Sequence, residues 1–151
     1  MKILSFQKGF SAIKKQLSDL NHGRNSEKKE ILNSVILESL NESEREKEQI
    51  LNSLVEQVTY LDLDYRLKWL NEAGLKSIPA DMSIDDMLGK KCHEIWFDRN
   101  SPCSKCPVAT TIKTGWPWKE EIDFPDGSTR LLSSHPVKDD NGKLTGIIEV
   151  E

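Results

Sequence analysis

The feature that most constrains the fold is a C-terminal run of three strand-like segments separated by two short turns. The segments are residues 116–124, 129–137 and 144–150. Residues 125–128 and 139–142 separate them and are rich in Pro, Asp, Asn and Gly, which favour tight turns. The second turn contains the Asn-Gly pair that type I′ hairpins prefer. Because turns this short join antiparallel strands, the pattern predicts an antiparallel sheet.

Two more strands and several short helices are predicted upstream of these hairpins. The strands are residues 58–62 and 66–71, and the helices are 72–77, 83–88 and 107–115, the second capped by Ser83. Two strands, short helices and three antiparallel strands are typical of an α+β fold rather than a parallel βαβ fold. We therefore expect an α+β domain that contains antiparallel strands and short helices.

An N-terminal helical segment is predicted before this domain. An a/d heptad seam is formed by Phe6, Phe10, Ile13, Leu17 and Leu20. A hinge at 21–25 interrupts the pattern, and Ser26 is the expected N-cap of a second helix. Residues 41–49 contain no apolar side chain, so a hairpin of two arms and one long broken helix both fit.

The seam is too short to be stable alone in water, so it needs a partner. We predict that residues 1–47 form a coiled-coil segment that makes a homodimer and that residues 48–151 form the α+β domain. The alternative is that the helices pack on their own domain.

Composition excludes several classes of function. The formal net charge of −4, with Lys and Arg scattered among acidic residues, argues against nucleic-acid binding. No apolar run approaches the roughly 20 residues that span a bilayer. The first residues lack the apolar stretch of a signal peptide, so we expect a cytoplasmic protein with no membrane contact.

Three cysteines carry the most informative chemistry. Cys92 precedes His93, and Cys103 and Cys106 form a Cys-x-x-Cys pair before Pro107. One hypothesis is a zinc or iron–sulfur site at the three thiolates, with His93, His135 or an external group as fourth ligand. A second is a reversible Cys103–Cys106 disulfide, since the start of a helix favours a thiolate. A third is that the cysteines are inert packing residues.

No catalytic constellation is present in the sequence. It contains no phosphate-binding Gly-rich loop, no Gly-x-Ser-x-Gly elbow and no His-Glu-x-x-His motif, so we do not expect an enzyme. Tryptophan side chains are candidates for either a ligand cavity or the core; they are Trp69, Trp96, Trp116 and Trp118.

Several local phrases resemble those of PAS domains. They are Ile50–Asp62, Trp69–Ala73, Leu88–Lys91, Pro136–Lys143 and Gly146–Val150, and the resemblance covers roughly residues 48–151. Gly89–Cys92 followed by a second cysteine pair resembles a variant seen in many bacterial and archaeal PAS domains. The resemblance implies a five-stranded antiparallel sheet with short helices on one face. It also implies sensing or protein interaction, often in front of a histidine kinase or a cyclic-dinucleotide output domain, with dimerisation through a helix that precedes the sheet.

The expected function is therefore a signal-transduction sensor. It would sense a small ligand, a metal or a redox state and relay it through the N-terminal helical dimer to an output partner such as the histidine kinase of a two-component system. The alternatives are a ligand-free interaction scaffold and a thiol-redox protein that uses Cys103 and Cys106. Haem and flavin, which some PAS domains hold, are not expected. His93 and His135 lie in no recognisable haem motif, and no cysteine lies in the helical phrase expected for flavin photochemistry.

Overall fold

A computed structural model describes residues 25–78 and 82–151, and of residues 25–28 it describes the backbone alone. The predicted heptad seam from Phe6 to Leu20 and residues 21–24 of the hinge lie outside this part of the chain. The elements are helix α1 (Asn25–Asn52), strands β1 (Val58–Leu61) and β2 (Leu67–Leu70), helices α2 (Glu72–Leu75), α3 (Ile84–Met87), α4 (Cys92–Phe97) and α5 (Pro107–Thr114), and strands β3 (Trp118–Asp123), β4 (Thr129–Lys138) and β5 (Leu144–Val150). Ile50–Glu151 forms one compact unit, and residues 25–49 lie outside it.

Helix α1 is continuous through residues 41–49, so the chain does not bend there. The helix begins at Asn25, which places the predicted N-cap Ser26 inside it. Large apolar side chains on α1 are exposed: Ile31, Ile36, Leu37 and Leu40. The predicted domain boundary at residue 47 stays a prediction. None of the helices in the described ranges has the length and apolarity needed to cross a membrane.

The five strands form one antiparallel sheet in the order β2-β1-β5-β4-β3. The first and last strands of the domain lie side by side at its centre, with Thr59 opposite Glu149 and Leu61 opposite Ile147. Two hairpins then place β4 and β3 beyond β5. The predicted α+β fold class is confirmed.

The hydrophobic core lies between one face of the sheet and the short helices. Leu61 and Ile147 from the central strands are fully buried together with Met87 of α3 and Val108 of α5. Burying side chains of this size stabilises the fold by about 1.5–3 kcal/mol each. Helix α4 adds Ile95 to the same cluster.

Two local predictions need correction. Helix α4 was not expected, because no side-chain N-cap marks its start at Lys91. The Asn141-Gly142 turn is not type I′, since that turn needs a positive φ at both residues and only Gly142, at 79°, has one. The Asp139 side chain instead accepts hydrogen bonds from the backbone N–H groups of Asn141 and Lys143, both at 2.9 Å.

Candidate functional site

All three cysteines line one pocket between α4, α5 and the sheet, which we name the cysteine pocket. Its polar lining includes Cys92, Cys103, Cys106 and the carboxylate of Glu149. Its apolar lining includes Trp96, Phe97, Ile122, Phe124 and Leu132. The cavity volume is about 20 Å³. That is room for about one water-sized sphere, far below the several hundred Å³ of pockets that hold small organic ligands.

Two of the three thiols that line this pocket lie at the start of a helix. Cys92 is the first residue of α4, and Cys106 is the N-cap of α5. The Cys106 sulfur accepts a hydrogen bond from the Ala109 N–H at 3.4 Å. The Cys106 N–H donates a hydrogen bond to the Cys103 carbonyl at 3.1 Å. The turn that this bond closes holds Cys103 beside Cys106. All three are free thiols.

Burial keeps these thiols protonated. It raises the pKa of Cys106 to about 11, more than the hydrogen bond from Ala109 lowers it. It also raises the pKa of Cys92 and of Cys103, and the charge of Glu149 adds to the rise at all three thiols. The thiolate that the helix start was expected to favour at Cys106 is therefore not favoured in this pocket, because desolvation outweighs the helix dipole.

Glu149 is the pocket residue that the sequence analysis missed. It lies on β5 opposite Thr59 of β1 and Ser134 of β4, and both of these residues are buried. Its carboxylate has no hydrogen-bond or ion-pair partner among the residues that the structure describes. Burial raises its pKa to about 7, and the charge of Glu151 adds to that rise. Strand alternation was the available signal, because it places Glu149 on the face of buried Ile147.

His93, the predicted fourth metal ligand, is directed away from the pocket. It is fully buried and packs edge-on against Tyr65, with ring centroids 5.8 Å apart. Its Nδ1 lies 4.0 Å from the Cys92 sulfur, and its Nε2 has no hydrogen-bond partner within residues 25–78 and 82–151. In the described part of the chain, no three His, Cys, Asp or Glu side chains are gathered closely enough to form a ready-made metal site.

The other candidates are dispersed. Trp96 lines the cysteine pocket, whereas Trp116 and Trp118 are exposed. Trp69 pairs with Tyr60 at the β1–β2 edge of the sheet, and His135 is exposed on β4. Neither lines the cysteine pocket.

Hydrogen bonds connect the pocket strand to the end of α1. Gln57 and Glu151, which both border the pocket, exchange backbone hydrogen bonds of 3.2 and 3.0 Å. The buried Asn71 amide donates to the carbonyls of Leu51, at 3.1 Å, and Glu56, at 2.9 Å. Its oxygen accepts from the Val58 N–H at 3.0 Å. The last turn of α1, the linker after it and the start of β1 are thus held by one side chain.

Comparison with known proteins identifies the fold. No protein-family model matches the sequence, and no curated protein matches it. A PAS domain from Colwellia psychrerythraea superposes with a TM-score of 0.54 at 14% identity, over 70% of this chain and 92% of that one. The PAS domain of nitrogen regulation protein NR(II) from Vibrio parahaemolyticus gives 0.53 at 16% identity, over 70% and 95%.

The fungal blue-light photoreceptor Vivid, in its light-state dimer, gives a TM-score of 0.51 at 17% identity, over 65% of this chain and 77% of that one. Similarity at these identities shows the fold alone. The unit Ile50–Glu151 has the fold of PAS domains, as the sequence resemblance implied.

Proposed function

We propose that this PAS-fold domain is a sensor module of a signalling protein and that the cysteine pocket is its sensing site. The observation that carries the proposal is the pair of backbone hydrogen bonds that joins Glu151, at the end of the pocket strand β5, to Gln57 in the linker after α1. A change in the pocket would act on Glu149, and the same strand is hydrogen-bonded through Glu151 to Gln57 in the linker that follows α1. The domain therefore contains both a site for a signal and a route out of it.

The relay step depends on how the linker is held. Residues 53–57 carry little buried apolar surface, and Leu54 and Val55 are exposed. Hydrogen bonds to Asn71 and Glu151 are their main attachment to the sheet. Segments that are held by few contacts open at low free energy, so a small shift of β5 can change the conformation of this linker.

We propose that the output acts through a homodimer of N-terminal helices. The exposed apolar side chains of α1 support this, because a helix that keeps such side chains in water gains free energy by covering them. Vivid, a structural neighbour, is a photoreceptor in a dimeric state. An output partner such as a histidine kinase and a cytoplasmic location remain predictions from the sequence.

A ligand-free scaffold is the second candidate, and the small cavity favours it. A volume of about 20 Å³ leaves no room for a small organic ligand without rearrangement. The proposal includes no catalytic step. A thiol-redox function is disfavoured, because the pKa values of Cys103 and Cys106 are raised and the thiolate is the reactive form.

The test compares two neighbouring leucines on β4. Leu132 is buried in the pocket wall, whereas Leu131 is exposed on the opposite face. We expect Leu132→Val to change amide hydrogen exchange in residues 51–58 of the full chain, and Leu131→Val to leave it unchanged. If exchange in this segment is the same in both variants and the wild type, the pocket does not communicate with α1 and the scaffold function is favoured.

A further inference from the structure

We infer that the cysteine pocket binds one thiophilic divalent metal ion of the zinc class through Cys92, Cys103, Cys106 and the carboxylate of Glu149. This inference rests on the proposed function, since it names the signal that the pocket receives. It replaces His93, the fourth ligand expected from the sequence, by a residue on the sheet.

The donor set is the first argument. Three sulfurs and one carboxylate oxygen line the same cavity, and they come from α4, the turn before α5 and β5. Zinc takes four ligands of this kind in a tetrahedral arrangement, with cysteine sulfur and carboxylate oxygen both among its usual donors. Ligands that come from three separate elements can surround an ion, whereas adjacent residues such as Cys92 and His93 cannot do so easily.

The size of the cavity is the second argument. About 20 Å³ accommodates a single ion or water. An iron–sulfur cluster, with several metal and sulfide atoms, would need a larger space. The cavity therefore favours a mononuclear site over a cluster, and an ion over an organic molecule.

The unpartnered carboxylate is the third argument. Glu149 faces a wall of Trp96, Phe97 and Phe124 and makes neither a hydrogen bond nor an ion pair with any residue of the described ranges. Glu149 is half-buried, and the fully buried unpaired atoms of the described residues are His93 Nε2 and Ser134 Oγ rather than its oxygens. A carboxylate bordered by apolar side chains is nevertheless only partly hydrated, so a cation is a favourable partner for it. A bound cation would supply a partner for this carboxylate.

Metal binding would change the shape of the pocket. Since no three donors are gathered at ligand spacing in the described residues, the side chains must close around the ion. Each thiol that becomes a ligand releases its proton to solvent. Closure would draw the turn at Cys103 and the start of α4 toward β5, the strand that is connected to Gln57 and the end of α1. Binding and conformational change are thus coupled.

The experiment titrates the reduced, chelator-treated full chain with Co²⁺, then displaces it with Zn²⁺. We expect one Co²⁺ per chain and a visible spectrum with sulfur-to-metal charge transfer and tetrahedral d–d bands. Cys103→Ser should abolish the charge-transfer spectrum. Glu149→Gln should weaken binding by more than about tenfold, since losing even an outer-shell group of a metal site has an effect of that size. Glu121→Gln changes an exposed carboxylate on β3 that does not line the pocket; it is the matched control and should bind like the wild type.

Three results would overturn the inference. The first is that the wild type binds no metal, and the second is that Glu149→Gln binds it with unchanged affinity. The third is that His93→Gln loses the charge-transfer spectrum although this variant still unfolds cooperatively. Amide hydrogen exchange in residues 51–58 distinguishes a failure of the metal site from a failure of the proposed relay to α1. If the metal binds as expected but exchange there does not change, the site stands and the relay fails. If Leu132→Val changes that exchange but the metal does not bind, the relay stands and the metal site fails.

Discussion

The Asn71 amide should be among the most important polar side chains for the stability of the domain. Asn71 is fully buried, and its side chain makes four hydrogen bonds, of which those from the Val58 and Gly74 N–H groups are buried. Asn71→Ala leaves both donors without a partner, and an unsatisfied buried group costs about 1–3 kcal/mol. The two carbonyl acceptors are only partly buried, so water can replace most of what they lose. We expect the free energy of unfolding to fall by about 3 kcal/mol.

Urea unfolding of the full chain, followed by tryptophan fluorescence, measures this change. The matched control is Asn52→Ala, which removes one exposed hydrogen bond, from the Glu72 N–H to the Asn52 side chain at 2.9 Å. That loss should be about 1 kcal/mol or less. A drop of less than about 1 kcal/mol for Asn71→Ala, or equal drops for both variants, would refute the view that Asn71 holds the end of α1 to the sheet.

Three further predictions address the sheet, a turn and the dimer. Gly146→Ala places a Cβ 2.5 Å from the Tyr60 ring, so it should destabilise the domain by about 1–3 kcal/mol in the same urea assay, and Tyr60→Leu should relieve part of this loss. The pKa of Asp126 should be about 2 by NMR titration, because hydrogen bonds from the hydroxyl and the N–H of Ser128, and then Arg130, stabilise the carboxylate. The stabilisation of the fold is present above the ordinary pKa of 3.8 and is lost as the pH falls through about 2. A measured pKa near 3.8 would contradict these contacts. Leu37→Glu should shift the chain toward monomer in sedimentation, and an unchanged dimer would exclude this face of α1 as the interface.

Local signals were sufficient to predict most of the sheet. Gly127 and the Asp139–Lys143 turn separate the C-terminal strands, and the observed strands agree with the predicted ones to within two residues. Helix α4 was missed because tertiary contacts stabilise it: Ile95 packs in the core, and the Glu94 carboxylate accepts from the Lys91 N–H at 3.1 Å. A helix of six residues has little stability of its own, so its local sequence carries a weak signal.

The candidate site was less predictable, because its parts are distant in sequence. The Cys103–Cys106 turn was visible as a motif, but its partner on the sheet depends on the pairing of β5 with both β1 and β4. Only that pairing turns Glu149 toward the thiols. His93 was chosen because it is adjacent to Cys92, yet its position in α4 directs the ring to Tyr65 instead. Adjacency in the chain is a poor guide to which residues bind the same ion when both lie on a helix, because successive side chains there point about 100° apart.

In the proposed function, strand β5 would both receive the signal and transmit it. Alternation along the strand places Glu149 and Glu151 on the same face, so both border the cysteine pocket. The first has no partner in the described structure, while the second is paired with Arg130 and bonded through its backbone to Gln57. A ligand that attracts Glu149 therefore pulls on a strand whose end is already attached to the linker after α1. The strand needs no hinge, since a displacement of the pocket residue is a displacement of the attachment point two residues later.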